Sequence, residues 1–418
     1  MEIKDYWFAL KSHVYVEFKQ DEILLYDTKS GFHIETDVKD IISFVKQLYE
    51  PKNLGVTLLS KEMQSNLNIR SFLRDVLKKQ MGDLTDVEKL PNKPVRLIPI
   101  LNLQKDVDRL KKNEENYLLI GNNAKDYLLE LNIFLNNVCS LICSHCDKYY
   151  RQVNCCTTSN VNQELSFEDT ESIFKQIQFS AVGKVNILGG NIFEYRHITK
   201  LQPLFDSFKE ILHCYFHYEN YRTKVLSDSL HFELIMNFPI KETIFRNTWN
   251  IINKEKTTVH FIIENEEQYE DMENMIEKFS IEKYLIQPVF TGKNLIFFQE
   301  NVFIDKEDLF SKTLSMREIF RNRKLNSNFF GTLYILPDGV VKANMNVPSI
   351  GNIKTDSLLD LIFKEMIDNT AWRIVRDSQP CNECIYQYIC PAPSNFEIVI
   401  GCSNLCNVKP VASKKKEI

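Results

Sequence analysis

The chain has 418 residues, of which 44% are hydrophobic, and its formal net charge is −5 at pH 7. That length corresponds to about three domains, and the hydrophobic content is sufficient for buried cores. The mildly acidic balance excludes a nucleic-acid partner held by bulk electrostatics. No apolar run reaches the length of a membrane span, and the charged start from Met1 to Asp5 has no apolar signal core. We therefore expect a cytoplasmic protein without a membrane partner.

Residues 1–90 predict a small domain of strands followed by short helices. Three strand-like runs separated by polar residues indicate a meander, over 14–18, 23–26 and 32–34. Apolar residues at helical spacing over 38–49 and 69–77 then predict two helices. Together these elements predict a winged-helix-like unit, and a packing domain without a ligand is the alternative.

Residues 91–119 predict a linker. Pro91, Pro94 and Pro99 interrupt any regular element, and the charged run over 105–115 is typical of an exposed segment. A second domain then begins near residue 120.

Residues 120–300 alternate strand and helix patterns. Six apolar runs predict strands, over 131–135, 185–188, 214–217, 232–236, 259–263 and 285–290. Because helical stripes lie between strands, the alternation predicts an α/β domain with a parallel sheet.

Three cysteines lie close together directly after the first of these strands. Cys139, Cys143 and Cys146 form a CxxxCxxC run, which can bind three irons of a cubane and leave the fourth iron open for chemistry. A structural zinc site usually needs four ligands, and disulfides need an oxidising compartment. We therefore interpret the run as an iron–sulfur site, with zinc, a disulfide or free thiols as the alternatives.

A glycine pair ends the second predicted strand. Gly189 and Gly190 precede Asn191, and their missing side chains would let the backbone approach a bound ligand. A plain turn at the end of a strand is the alternative. The vicinal pair Cys155 and Cys156 indicates inert thiols, a hydrogen-atom donor or a further metal ligand.

Residues 301–418 contain the second group of the chain's 11 cysteines. A turn signal over 334–341 predicts a hairpin. A CxxCxxxxxC knuckle and two later thiols follow: Cys381, Cys384, Cys390, Cys402 and Cys406. These thiols are sufficient for one four-thiolate centre, which is either an auxiliary iron–sulfur cluster or structural zinc.

The CxxxCxxC run resembles the signature of the radical S-adenosylmethionine (SAM) enzymes. The Pro337-Asp338-Gly339 turn, the segment around Gly351 and the knuckle, in that order, resemble the SPASM extension of peptide maturases. Over its full length the chain is similar to a radical SAM/SPASM maturase of ribosomally made peptides. The resemblance implies an α/β fold with a partial (β/α)6 barrel, an N-terminal winged-helix-like precursor-recognition domain and a C-terminal SPASM-like extension.

The resemblance also implies cofactors. Cys139, Cys143 and Cys146 would hold a [4Fe-4S] cluster, and SAM would be contacted by four residues: Gly189, Gly190, Asn191 and His145. In the family a glutamate follows the glycine pair, where this chain has Asn191.

Two further departures concern the extension. The family usually has thiols five residues after the turn glycine and four residues after the knuckle, where this chain has Asn344 and Ser394. The resemblance therefore implies one auxiliary cluster, on Cys381, Cys384 and Cys390 with Cys402 or Cys406 as fourth ligand.

The function implied is modification of a ribosomally made precursor peptide through hydrogen abstraction by a 5′-deoxyadenosyl radical. The implied partners are the precursor, whose leader would be captured as an added strand, and a low-potential electron donor. The departures at Asn191, Asn344 and Ser394 leave one alternative, a catalytically degenerate protein that serves as a peptide-binding or partner platform. A zinc-stabilised binding protein is the remaining interpretation.

Overall fold

The computed structural model describes residues 4–97, 124–141, 143, 150–155, 162–402 and 404–408. These residues form an N-terminal unit, a large sheet flanked by helices, and a cysteine-rich extension. None of the helices in this described part of the chain has the length and apolar character needed to cross a bilayer.

The N-terminal unit contains two three-stranded antiparallel sheets and two helices. Its elements are β1 (Tyr6–Leu10), β2 (Val14–Phe18), β3 (Ile23–Asp27), β4 (His33–Thr36), α1 (Lys39–Leu48), β5 (Thr57–Leu59), α2 (Leu67–Lys78) and β6 (Gly82–Asp86). The predicted meander is confirmed as the sheet β2-β3-β4, and both predicted helices form. The winged-helix designation stays a prediction.

The second N-terminal sheet, of order β5-β1-β6, was not predicted. β5 has three residues, and β6 combines a glycine with two aspartates, which are poor strand formers. Both are held by antiparallel pairing to β1. Phe8 of β1 stacks on Phe44 of α1 with ring centroids 5.3 Å apart, in a core of the unit's own.

All six strands predicted within 120–300 form, and they are parallel neighbours in one sheet. The elements are β7 (Glu130–Phe134), α3 (Phe167–Ile177), β8 (Lys184–Leu188), α4 (Ile198–Ser207), β9 (Leu212–His217), β10 (His231–Asn237), α5 (Glu242–Ile251), β11 (Thr257–Ile263), α6 (Glu266–Phe279) and β12 (Tyr284–Pro288). The order β12-β11-β10-β9-β8-β7 confirms an α/β fold with a parallel sheet. Closure into a partial barrel stays a prediction.

Alternate residues of these strands pack against the helices. Leu131, Ile187, Phe232 and Phe261 are fully buried in this core, which is the largest of the described residues. Because the strands are parallel, their carboxyl ends meet at one edge of the sheet. The cysteine loop begins at that edge, after β7.

The extension continues the large sheet rather than forming a separate one. Its elements are α7 (Leu295–Asn301), α8 (Lys306–Phe310), α9 (Met316–Asn322), β13 (Thr332–Ile335), β14 (Val340–Lys342), β15 (Ser349–Asn352), α10 (Leu358–Asp368) and α11 (Asn395–Ile400). The predicted hairpin is β13 with β14, and Gly339 adopts a φ of +88° in its turn. β13 also pairs in parallel with β7, which makes a sheet of nine strands. This sheet takes strands from both sides of the boundary predicted near residue 300, and the boundary itself stays a prediction.

The N-terminal unit packs on the extension. Three side chains of β2 and β3 share an apolar core with the extension, in which the buried members are Tyr15, Leu24, Tyr26, Leu309, Ile319, Ile385, Tyr386 and Ile389. The hydroxyl of Tyr386 donates to Glu35 Oε2 at 2.7 Å, and the hydroxyl of Tyr26 accepts from the amide of Leu314 at 2.8 Å. The loop of the cysteine knuckle is therefore also a docking surface for the N-terminal unit.

Candidate functional site

The cysteine loop starts at the carboxyl end of β7. Cys143 is buried, with 9% exposed, and Cys139 is half-buried. Cys146 and His145 lie outside the described residues, as does Cys156. The structure therefore describes two of the three predicted cluster ligands, both on the edge where the strands end.

Two polar residues at the ends of neighbouring strands contact this loop. Asn237, at the end of β10, donates through Nδ2 to Cys143 Sγ at 3.0 Å. Its Oδ1 accepts from His217 Nε2 at 2.8 Å, because His217 Nδ1 already accepts the amide of Glu219 at 3.3 Å. Burial lowers the pKa of His217 to about 4, so the ring is neutral at neutral pH. A thiolate at Cys143 thus has a fixed amide donor.

Sequence reasoning missed Asn237 and His217. A signal was present, because His217 ends one predicted strand of the parallel sheet and Asn237 directly follows another, where functional side chains collect. Neither forms part of a recognisable spacing.

The glycine pair accommodates the cysteine loop. A Cβ on Gly190 would lie 1.9 Å from the carbonyl oxygen of Val138 and 2.8 Å from the amide of Cys139. The Gly190 amide donates to Asn136 Oδ1 at 3.1 Å. The close approach predicted for a ligand is therefore made here by the protein's own backbone, and contact with SAM stays a prediction.

Asn191 has local hydrogen-bond partners. Its Oδ1 accepts the amide of Phe193 at 3.1 Å, and its carbonyl accepts from Asn136 Nδ2 at 2.8 Å. Glu194, the next carboxylate, pairs with Arg222. These contacts fix the turn after β8, and the role of Asn191 in binding SAM stays a prediction.

An apolar layer covers the sheet face opposite the helices. Its buried members are Phe134, Leu188, Tyr215, Ile235, Ile262 and Val289, and Val153 and Cys155 pack against them. Gln152 fastens this segment to the end of the sheet by accepting the Phe290 amide at 2.7 Å and donating to the Phe290 carbonyl at 2.8 Å. Cys155 therefore lies against this apolar layer. Cys214, by contrast, is fully buried on the helix side, where burial raises its pKa.

A buried carboxylate lies on the same face. Glu233 accepts from His213 Nδ1 at 2.6 Å and from His260 Nε2 at 2.5 Å. Burial alone would raise the pKa of Glu233, but these hydrogen bonds and the charges of the two rings lower it to about 2. The carboxylate therefore stays ionised through the acidic range.

Glu233→Gln should lower the stability of the protein in a pH-dependent way. The folded pKa lies below the ordinary value of 4.5, so the carboxylate stabilises the folded state above pH 4.5, and this contribution is lost as the pH falls toward 2. The free energy of unfolding should be lower in the variant by about 3 kcal/mol at pH 7, and the difference should be smaller at pH 3. Urea unfolding of the variant and the wild type at both pH values measures it, with exposed Glu270→Gln as control. A difference that does not change with pH would contradict the assignment.

Four cysteines of the extension line one cavity of about 250 Å³: Cys381, Cys384, Cys390 and Cys406. Cys402 is exposed and lies outside the cavity. Cys406 is positioned by an isolated bridge to Ile304, whose amide donates to the carbonyl of Leu405 at 3.1 Å. Of the two candidates for the fourth ligand, the structure brings Cys406 to the knuckle.

Four thiols around one cavity fit either an auxiliary iron–sulfur cluster or structural zinc. Among the described residues, no group of three or more His, Cys, Asp or Glu side chains converges closely enough to hold a single metal ion. Burial raises the pKa of Cys390 to about 12 and also that of Cys381, so metal binding would release protons.

Asn344 and Ser394 occupy neighbouring positions in the structure. Asn344 Nδ2 donates to Asn395 Oδ1 at 3.1 Å, and Asn395 Nδ2 donates to the carbonyl of Arg151 at 2.7 Å. Ser394 caps α11 through a capping box with Glu397. The two positions at which the resembled family has thiols thus belong to a hydrogen-bonded polar cluster that also holds the segment after the cysteine loop.

Neither a protein-family model nor a curated protein matches the chain. Among solved structures, SuiB of Streptococcus suis bound to S-adenosylmethionine is 14% identical, with 96% of this chain and 98% of that chain covered and a TM-score of 0.46. SuiB bound to precursor peptide SuiA is 14% identical, also with 96% of this chain and 98% of that chain covered, and has a TM-score of 0.47. SuiB alone is 13% identical over 95% and 98%, with a TM-score of 0.46. Similarity at this level carries neither fold nor function over to this chain.

Proposed function

We propose that this chain is a radical SAM enzyme that modifies a ribosomally made precursor peptide. The observation that carries the proposal is the CxxxCxxC loop at the carboxyl end of the first of six parallel strands. Three thiolates there would leave one iron of a [4Fe-4S] cluster open for SAM. Binding of both groups would supply one-electron cleavage of SAM to a radical that abstracts hydrogen from the peptide.

The chain's own residues orient the loop and exclude water. Gly190 lets the loop backbone lie against the end of β8, and Asn237 donates to Cys143 Sγ. The apolar layer that includes Phe134 and Ile235 provides a dry surface beside the loop. Such a surface would keep water away from a reactive radical, which side reactions would otherwise consume.

One auxiliary iron–sulfur cluster completes the proposed set of cofactors. The cavity of about 250 Å³ lined by Cys381, Cys384, Cys390 and Cys406 supports it, because four thiols are the number that one cluster of the Cys₄ kind needs. An electron donor of low potential would reduce the enzyme.

The precursor leader would bind as an added strand on β2. Among the described residues β2 pairs with β3 alone. The bonds from the amide of Thr28 to His13 and from the amide of Lys19 to Glu22 show that odd-numbered residues of this strand face β3. The amide of Val16 therefore points outward, where an incoming strand would pair.

Val16→Pro should weaken binding of the precursor roughly tenfold, because proline removes the outward amide. Val16→Ala is the matched control, since it shortens the same side chain and keeps the amide. The open reading frames next to the gene are searched for a short precursor, and fluorescence anisotropy with its labelled synthetic peptide measures both affinities. Equal affinities of the two variants would contradict strand addition at this edge. Deleting residues 6–84 is a poorer test, because it would uncover the apolar surface of Ile385 and Ile389.

The whole proposal is tested with anaerobically reconstituted full-length protein, SAM, dithionite and that peptide. We expect 5′-deoxyadenosine and a mass change in the peptide that requires SAM. Peptide binding without 5′-deoxyadenosine would favour a catalytically degenerate platform.

A further inference from the structure

A buried cation forms part of the wall of the four-cysteine cavity. The side chain of Arg376 is 6% exposed, and its Nη1 lies 3.7 Å from Cys381 Sγ. Its Nε donates at 2.5 Å to the carbonyl of Pro391, the residue after Cys390. One guanidinium therefore contacts both ends of the knuckle.

The partner of this cation is a buried carboxylate outside the lining of the cavity. Glu397 Oε1 accepts from Arg376 Nη1 at 2.8 Å, and its side chain is 5% exposed. Glu397 does not line the cavity, and its carboxylate also accepts the amides of Ser394 and Leu405. Of the two charges, the guanidinium therefore lines the cavity beside Cys381, whereas the carboxylate does not line it.

Stability alone gives little reason for such a pair. Buried ion pairs are often no more stabilising than apolar residues of the same volume. An iron–sulfur cluster on four thiolates, however, is anionic and becomes more so on reduction, and its potential depends on nearby charge and on hydrogen bonds to sulfur. Within the described part of the chain, the other charged residue lining the cavity is Glu383, which is exposed and accepts a hydrogen bond from Gln379.

We infer that Arg376 and Glu397 are a positioning pair that sets the reduction potential of the auxiliary cluster. This inference rests on the proposed function, because it requires iron in the knuckle. Reduction adds one electron from a donor such as dithionite, and no bond is made or broken. The guanidinium favours the reduced cluster, and the more distant carboxylate opposes it.

The two members of the pair should shift the potential in opposite directions. Redox titration is followed by electron paramagnetic resonance in full-length protein with Cys139, Cys143 and Cys146 changed to alanine, so that only the knuckle cluster remains. Arg376→Gln should disfavour the reduced cluster at least tenfold, which is 59 mV for a one-electron couple, and Glu397→Gln should favour it. Arg376→Lys, which keeps the charge, should stay closer to the parent than Arg376→Gln. Glu383→Gln, at the exposed side of the cavity, should shift the reduction potential by less than Glu397→Gln does.

Each outcome decides the role of the pair. Opposite shifts support it, whereas shifts of one sign, no shift, or loss of iron from both variants would show a structural pair. If only Arg376→Gln loses iron, the reduction potential of Glu397→Gln still tests the inference, because a higher potential supports it and an unchanged or lower potential contradicts it. Zinc without iron in the parent protein would overturn the auxiliary cluster as well, whereas iron with unchanged potentials would overturn only the inference.

Discussion

Replacing Cys139, Cys143 and Cys146 together by alanine is expected to abolish formation of 5′-deoxyadenosine from SAM. Without the three thiolates no cluster with an open iron can assemble on this loop, so SAM has neither a binding iron nor an electron source. Reconstituted variant and wild-type protein are compared with dithionite and SAM under anaerobic conditions, and the nucleoside is measured by liquid chromatography. The variant should fall to the background of a reaction without protein.

Two controls separate loss of the site from loss of the fold. Cys214→Ala removes a thiol that is fully buried in the helix-side core of the same sheet, so it should keep both cluster and activity. Iron in the knuckle of the triple variant shows that the extension still folds. Equal release of 5′-deoxyadenosine by the triple variant and the wild type would contradict the proposed function and favour a catalytically degenerate peptide-binding platform.

The parallel sheet could be predicted because its information is local. Each of its six strands is a short apolar run, and the helical stripes between them indicate the crossover connections. The pairing of β13 with β7 could not be predicted, because the two strands are far apart in the sequence and no residue pattern in either strand indicates its partner. The same holds for the docking of Tyr15 and Tyr26 on the knuckle.

The candidate sites divide in the same way. The spacing of Cys381, Cys384 and Cys390 indicates a shared centre, but the choice between Cys402 and Cys406 depends on a tertiary contact with Ile304. Gly190 was recognised as a point of close approach, and only the structure shows that the approaching group is the backbone of Val138. Asn237 contacts Cys143 across elements that no motif connects.

The knuckle should hold one auxiliary cluster, and Cys406 rather than Cys402 should be its fourth ligand. In protein lacking Cys139, Cys143 and Cys146, about four irons per chain should remain, as expected for one four-thiolate cluster. Adding Cys406→Ala should remove most of this iron, because that thiol lines the cavity. Adding Cys402→Ala, the matched control, should leave the iron in place, because that thiol is exposed outside it.

Iron, zinc and acid-labile sulfide analysis of these variants measures the result. Roughly eight remaining irons would refute the limit of one cluster, which follows from the presence of Asn344 and Ser394 at the positions of two family thiols. One zinc without iron would show that the knuckle is a structural zinc site. Loss of iron from Cys402→Ala and its retention in Cys406→Ala would mean that the chain after α11 binds the cluster in another arrangement. The comparison of two cysteines only four residues apart therefore tests the geometry of the extension as well as its metal content.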